Sequence, residues 1–270
     1  MGFSMRIRDY PRRVVCLTEE SVETLFALGL NDRIIGVSAF VERPAEAKQL
    51  PTMSVFTHAN LKKIADAKPD LVLGFSDIQK DIAKDLIGMG LNVWIANHRT
   101  LDETLDYILA LGSLFGVRKA AMDFVADLEE RLEQAHEFSS RLKHRPKVYI
   151  EEWDEPMLSG ISWFSEIVRA CGGEDIFVHK SSGSLAKDRA VESSEVIAAN
   201  PDIILGCWCG KPVDVKSFAT RTGWKNIKAV ENNQVFELDP AIFLQPGPAP
   251  ILAGIPILQR IFSDFQNTLA

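Results

Sequence analysis

The stretch from Arg118 to Lys143 constrains the fold of this chain more than any other. It runs for about 26 residues without Gly or Pro, and Ala121, Met122, Val125, Leu128, Leu132 and Ala135 recur at helical spacing with charges between them. At 1.5 Å per residue such a helix is roughly 39 Å long. Pro146 is the expected stop before a new strand. On either side, short β-branched runs alternate with amphipathic stretches. Candidate strands are Val14–Leu17, Ile34–Ser38, Leu71–Gly74 and Val93–Ala96, then Lys147–Ile150, Ile203–Gly206 and Val235–Leu238. Candidate helices are Ser21–Leu28, Leu61–Ala67, Ile78–Met89 and Leu101–Phe115, then Trp163–Ala170, Ser194–Ala199 and Ile251–Phe265. This order predicts an α/β fold with mainly parallel sheets covered by helices. The expected organisation is an N-terminal lobe over 1–117, a connecting helix over 118–145 and a second lobe over 146–270. The plainer alternative is one domain with a long surface helix.

A chain of 270 residues can bury a core in each lobe. Its net charge of −7 argues against nucleic acid or an anionic membrane as partner, since phosphate binding needs a clustered basic face. No run of 18 or more apolar residues occurs, so the chain is not expected to be membrane-embedded. The opening MGFSMRIRDYPRRVV has basic residues but no apolar core and no small-residue cleavage site. That predicts a cytoplasmic protein as the sequence stands, or a periplasmic one if a leader has been removed. Four cysteines are too few for a disulfide framework, and reduced thiols are expected.

In open parallel sheets the ligand lies beyond the carboxyl ends of the strands. The residues that follow each strand are therefore the site candidates: Glu19 and Glu20; Phe40; Phe75 and Ser76; Glu152 and Trp153; Trp208; Phe243 and Gln245. Aromatic faces give contact area at low entropic cost, and carboxylates beside them favour a cationic ligand. Each candidate also has a plain structural reading. Glu19 and Glu20 suit a helix N-terminus, with Ser21 as its cap, while Phe40 and Phe75 suit a core. Trp153 and Trp208, set among polar residues, fit a core less easily.

Catalytic signatures are sparse. Cys207 and Cys209 could be a thiolate pair, with His58 as a third ligand, but C-x-C lacks the spacing of a four-ligand metal site. Glu151 and Glu152 are adjacent, and neighbours on a strand point to opposite faces. No nucleophile elbow, phosphate loop, zinc helix or dinucleotide fingerprint is present. The reading is a binding protein with no permanently bound cofactor, rather than an enzyme. The alternative is a cytosolic enzyme with Glu151, Glu152 and Cys209 as acid–base or metal groups.

Taken in order, several segments carry a resemblance. They are RVVCLTEESVETLFALGLNDRIIGVSA at 13–39, Pro44–Ala47, NLKKIADAKPDLVLG at 60–74, Cys171–Phe177 and VIAANPDIIL at 196–205. The set is similar to the cobalamin and iron–siderophore solute-binding proteins of ABC importers over roughly residues 11–265. The EEWDEP, WCGK and LQPGP segments look closest to a branch without a leader. The resemblance implies the helical-backbone periplasmic-binding-protein fold, with a bulky ligand such as a corrinoid or metal chelate gripped between two lobes. It places ligand contacts at Phe40, Phe56 and Phe75, and in the loops around Trp153, Trp208 and Phe243. Importer-coupled members carry one docking glutamate per lobe. Those positions here are Lys62 and Ser194, with Glu195 next to the second. A lysine facing permease arginines repels them, which argues against ordinary permease docking.

Overall fold

The computed structural model describes residues 10–183 and 185–269. The first nine residues, part of the segment read for a leader, lie outside these. The chain forms two compact units. The first holds the described residues up to His98 together with Asp102–Asp127, and the second holds Arg99–Leu101 and the described residues from Leu128 onward.

The first unit carries six strands: β1 (Val14–Cys16), β2 (Ile34–Ser38), β3 (Thr52–Val55), β4 (His58–Ala59), β5 (Leu71–Phe75) and β6 (Val93–Ala96). Their order across the sheet is β4-β3-β2-β1-β5-β6, parallel throughout except where β3 meets β4. β1 is buried along its whole length, as expected for a parallel strand covered on both faces. Val15, Leu17, Met53, Ile64, Val72 and Leu86 form a core cluster of this unit. Gly36 in β2 is required by close approach: a Cβ there would lie 2.4 Å from Met53 Cγ.

The second unit carries β7 (Lys147–Asp154), β8 (Met157–Ser159), β9 (Glu174–Asp175), β10 (Ile203–Gly206) and β11 (Val235–Glu237). The order is β11-β10-β7-β8, with β9 also pairing β7. All pairs are parallel except the β7–β8 hairpin. Tyr149, Phe177, Val196, Ile204, Phe218 and Trp224 lie at the centre of a core cluster here.

The long helix is present over Arg118–Ser140. It ends before the expected Lys143, so Pro146 does not stop it. Ala121, Val125, Leu128 and Ala135 are buried as the periodicity predicts, whereas Met122 is 52% exposed and lies off the apolar stripe. The boundary between the two units falls inside this helix, between Asp127 and Leu128. Among the described residues no helix is long and apolar enough to cross a membrane.

Candidate functional site

In the first unit β1 lies between β2 and β5, so the chain leaves it at a topological switch point. Thr18 caps the helix Glu19–Ala27, which therefore begins two residues earlier than expected; Ser21 is inside it and donates back to the Thr18 carbonyl at 2.9 Å. Both acids of the first turn are buried, Glu20 almost completely at 1% exposure. Glu20 Oε1 accepts a 2.6 Å hydrogen bond from Thr18 Oγ1, while Oε2 has no hydrogen-bond partner of ordinary geometry. Burial pushes its carboxyl up to about 8; the Thr18 hydroxyl opposes this, and neighbouring Glu19 adds to it. Glu19 is raised for the same first reason. Glu20 therefore holds its proton at neutral pH and is not a fixed negative charge.

The aromatic candidates of this unit differ in setting. Phe40, just past β2, is 53% exposed, and Phe56 is half-buried in the β3–β4 turn. Phe75 is buried, with its ring edge on His98 at 5.1 Å. Ser76 is fully buried and adopts φ +67, a conformation costing about 1–3 kcal/mol in a non-glycine residue. It is held there by its amide bond to the Ala96 carbonyl at 2.7 Å and by Ile78 N–H donating to its Oγ. His98 stacks on Tyr107 at 4.5 Å, and Tyr107 lies 5.5 Å from Trp94. Neither His98 nor Tyr107 was among the sequence candidates. His98 follows β6, so the rule applied to the other strand ends would have found it.

The second unit resolves the acidic run at the end of β7. Glu151 and Glu152 point to opposite sides, as alternation requires. Glu151 is completely buried and accepts from Arg221 Nη1 at 2.6 Å and Nη2 at 2.8 Å, Tyr149 Oη at 3.1 Å and Trp208 Nε1 at 3.1 Å. The guanidinium of Arg221 lies over Phe218 at 4.2 Å and Trp224 at 4.6 Å. Glu152 accepts from Arg189 Nη1 at 2.5 Å and from the Ile161 amide at 2.6 Å. Asp154 pairs with Lys211 at 2.6 Å. Glu151, Glu152 and Asp154 thus each face a cation of the chain itself, and the acidic mouth read from the sequence at this strand end is neutralised. Its physical reason is long-range pairing with Arg189, Lys211 and Arg221, which no local spacing announces.

Trp153 is half-buried, and Trp208 is 4% exposed as part of the core cluster. Phe243 is fully buried against Phe164, with ring centroids 5.0 Å apart, and Gln245 is half-buried beyond it. Cys207 is buried and its thiol is pushed well above the ordinary range by desolvation, which keeps it protonated and a poor metal ligand. Cys209 is exposed, and exposed His58 belongs to the other unit. Among the described residues no three His, Cys, Asp or Glu side chains gather as a metal-ligand set.

Residues 14–242 match the periplasmic binding protein family. The chain belongs to that family. Its relatives include the vitamin B12-binding protein of Vibrio vulnificus, 26% identical over 98% of this chain and 96% of that one. The ABC transporter substrate-binding lipoprotein YvrC of Bacillus subtilis is 25% identical over 96% of this chain and 82% of its own length. Among solved structures, a periplasmic heme-binding protein of Pseudomonas aeruginosa superposes with a TM-score of 0.80 at 17% identity, covering 93% of this chain and 92% of that one. The α/β architecture and the solute-binding class expected from the sequence both stand.

Exposed Lys62 forms an i,i+4 ion pair with Asp66 at 2.5 Å. Ser194 is exposed. The neighbouring Glu195 is committed elsewhere: it accepts from the Glu192 amide at 2.7 Å in a capping box and pairs with Lys180 at 3.2 Å.

Proposed function

We propose that this solute-binding protein takes a bulky corrinoid or porphyrin-like metal chelate, using the loops at the carboxyl ends of its strands. The observation that carries this reading is the near full-length match to a vitamin B12-binding protein within the family. In the first unit, exposed Phe40 and half-buried Phe56 offer ring faces suited to such a ligand. The ligand is cargo and not a resident cofactor. The competing acid–base reading has little support, because the lone pairs of Glu151 are occupied by four donors and Glu152 is locked to Arg189. Titration with cobalamin, cobinamide, heme and ferric siderophores, followed by tryptophan fluorescence, is expected to give saturation with at least one of them. A flat response to all four rejects the proposal.

We also infer that docking to an ABC permease does not use paired glutamates in this chain. Lys62 has the wrong charge, Ser194 has none, and Glu195 is engaged in capping its helix. In a pull-down against a permease that presents arginines, Lys62→Glu combined with Ser194→Glu is expected to raise retention. Equal retention of the double variant and the unaltered protein contradicts this.

A further inference from the structure

Lys211 is placed unusually for a surface lysine. Its Nζ lies 4.3 Å from the ring centroid of Trp153 and 4.8 Å from that of Trp208, with Asp154 Oδ1 at 2.6 Å. Two indole faces and a carboxylate around one nitrogen form a cation cage, since a cation within about 6 Å of a ring centroid is attracted by the ring quadrupole. The walls are set independently of their occupant. Trp153 Nε1 donates to the Glu155 carbonyl at 2.9 Å, and Trp208 Nε1 donates to Glu151, itself held by Arg221. Each indole is thus fixed by its polar edge. The occupant sits on an exposed stretch: Cys209, Gly210 and Lys211 are exposed, and Gly210 adopts φ +81 immediately before the lysine.

We propose that this cage is a recognition site for a cationic group of the ligand, an alkylammonium or similar nitrogen, and that Lys211 is its built-in competitor. The lysine swings out when the cation enters, so the loop reports on occupancy. This rests on the solute-binding reading and adds a ligand class to it. A tethered competitor that fills the cage about nine-tenths of the time weakens apparent affinity about tenfold.

The test uses tetramethylammonium and the full chain, read by tryptophan fluorescence and by the indole N–H resonances of Trp153 and Trp208. Lys211→Ala is expected to bind the probe at least about tenfold more tightly than the unaltered protein. Trp153→Ala in the Lys211→Ala background is expected to abolish the response. Lys211→Gln serves as the second variant if the alanine form is not folded by circular dichroism. No saturable response in the folded lysine variants overturns the proposal. So does acetate binding to the unaltered protein that disappears in Lys211→Ala, which would make Lys211 an anion receptor. The chelate titrations use different probes, so either reading can fail without the other.

Discussion

Arg221→Ala is expected to destabilise the protein by roughly 3–5 kcal/mol, because it leaves a fully buried carboxylate without its counter-charge. For a chain of this size each kcal/mol moves Tm by about 2–4 °C, so the melting temperature at pH 7 should fall by roughly 6–20 °C. The size of the effect follows from what Glu151 organises. It ties Arg221 to the end of β7 and accepts from Tyr149 in the core and Trp208 after β10. The stacked rings of Phe218 and Trp224 lose their guanidinium at the same time. Adding Glu151→Gln to Arg221→Ala removes the buried charge and should recover part of the loss, which a simple packing defect would not allow. The check is a set of thermal melts of the single and double variants. A drop of less than about 2 °C for Arg221→Ala, or no recovery in the double variant, means the pair is not a structural node.

That pair also marks the limit of what the sequence discloses. The alternation rule correctly sends Glu151 and Glu152 to opposite faces, because it depends only on neighbouring residues. Their partners Arg221 and Arg189 lie 70 and 37 positions away and are brought close by the sheet order. The central strands of both sheets are legible because they are buried on both faces and read as unbroken apolar runs. β3 is not: Thr52 and Ser54 dilute it, and it stands near the sheet edge. β4 and β9 span two residues each, too short for any periodicity to register. The last residues of β7, Glu-Trp-Asp, resemble a loop in composition, yet β8 pairs with them across Glu155-Pro156. Trp208 does lie in the loop after β10, as expected, but its ring is buried in the core cluster. Its ring is closed over by Lys211, a residue only three positions further on, whose role depends on Trp153 and Asp154 from another strand. Periodicity thus carries the fold, and non-local pairing decides the charge of the site.

The second large effect is a pH dependence, located at Glu20. In the unfolded chain this carboxyl titrates near 4.5, and in the folded chain burial moves it to about 8. Between those values the folded state keeps a proton that the unfolded state has released. The stability this proton contributes is complete below the unfolded value and is lost as pH rises through the folded one. The upper bound is on the order of 5 kcal/mol between pH 4.5 and 8. The groups around Glu20 do not reverse the sign. Thr18 donates to it and lowers its pKa, whereas Glu19 beside it raises it, and the buried Cys16 and Tyr107 within its field are neutral over this range. Glu152 and Asp175 are also raised by burial and contribute slopes of the same sign, so the pH curve of the unaltered protein alone does not isolate Glu20. Glu20→Gln does, since the amide keeps the shape and cannot ionise. Below about pH 5 the variant and the unaltered protein should melt within a few degrees of each other. By pH 8.5 the variant should be the more stable, by several degrees or more. Parallel melting curves across that range would falsify the assignment. The acid at the switch point of the first unit is therefore a neutral group at pH 7. Charge selectivity there must come from other residues.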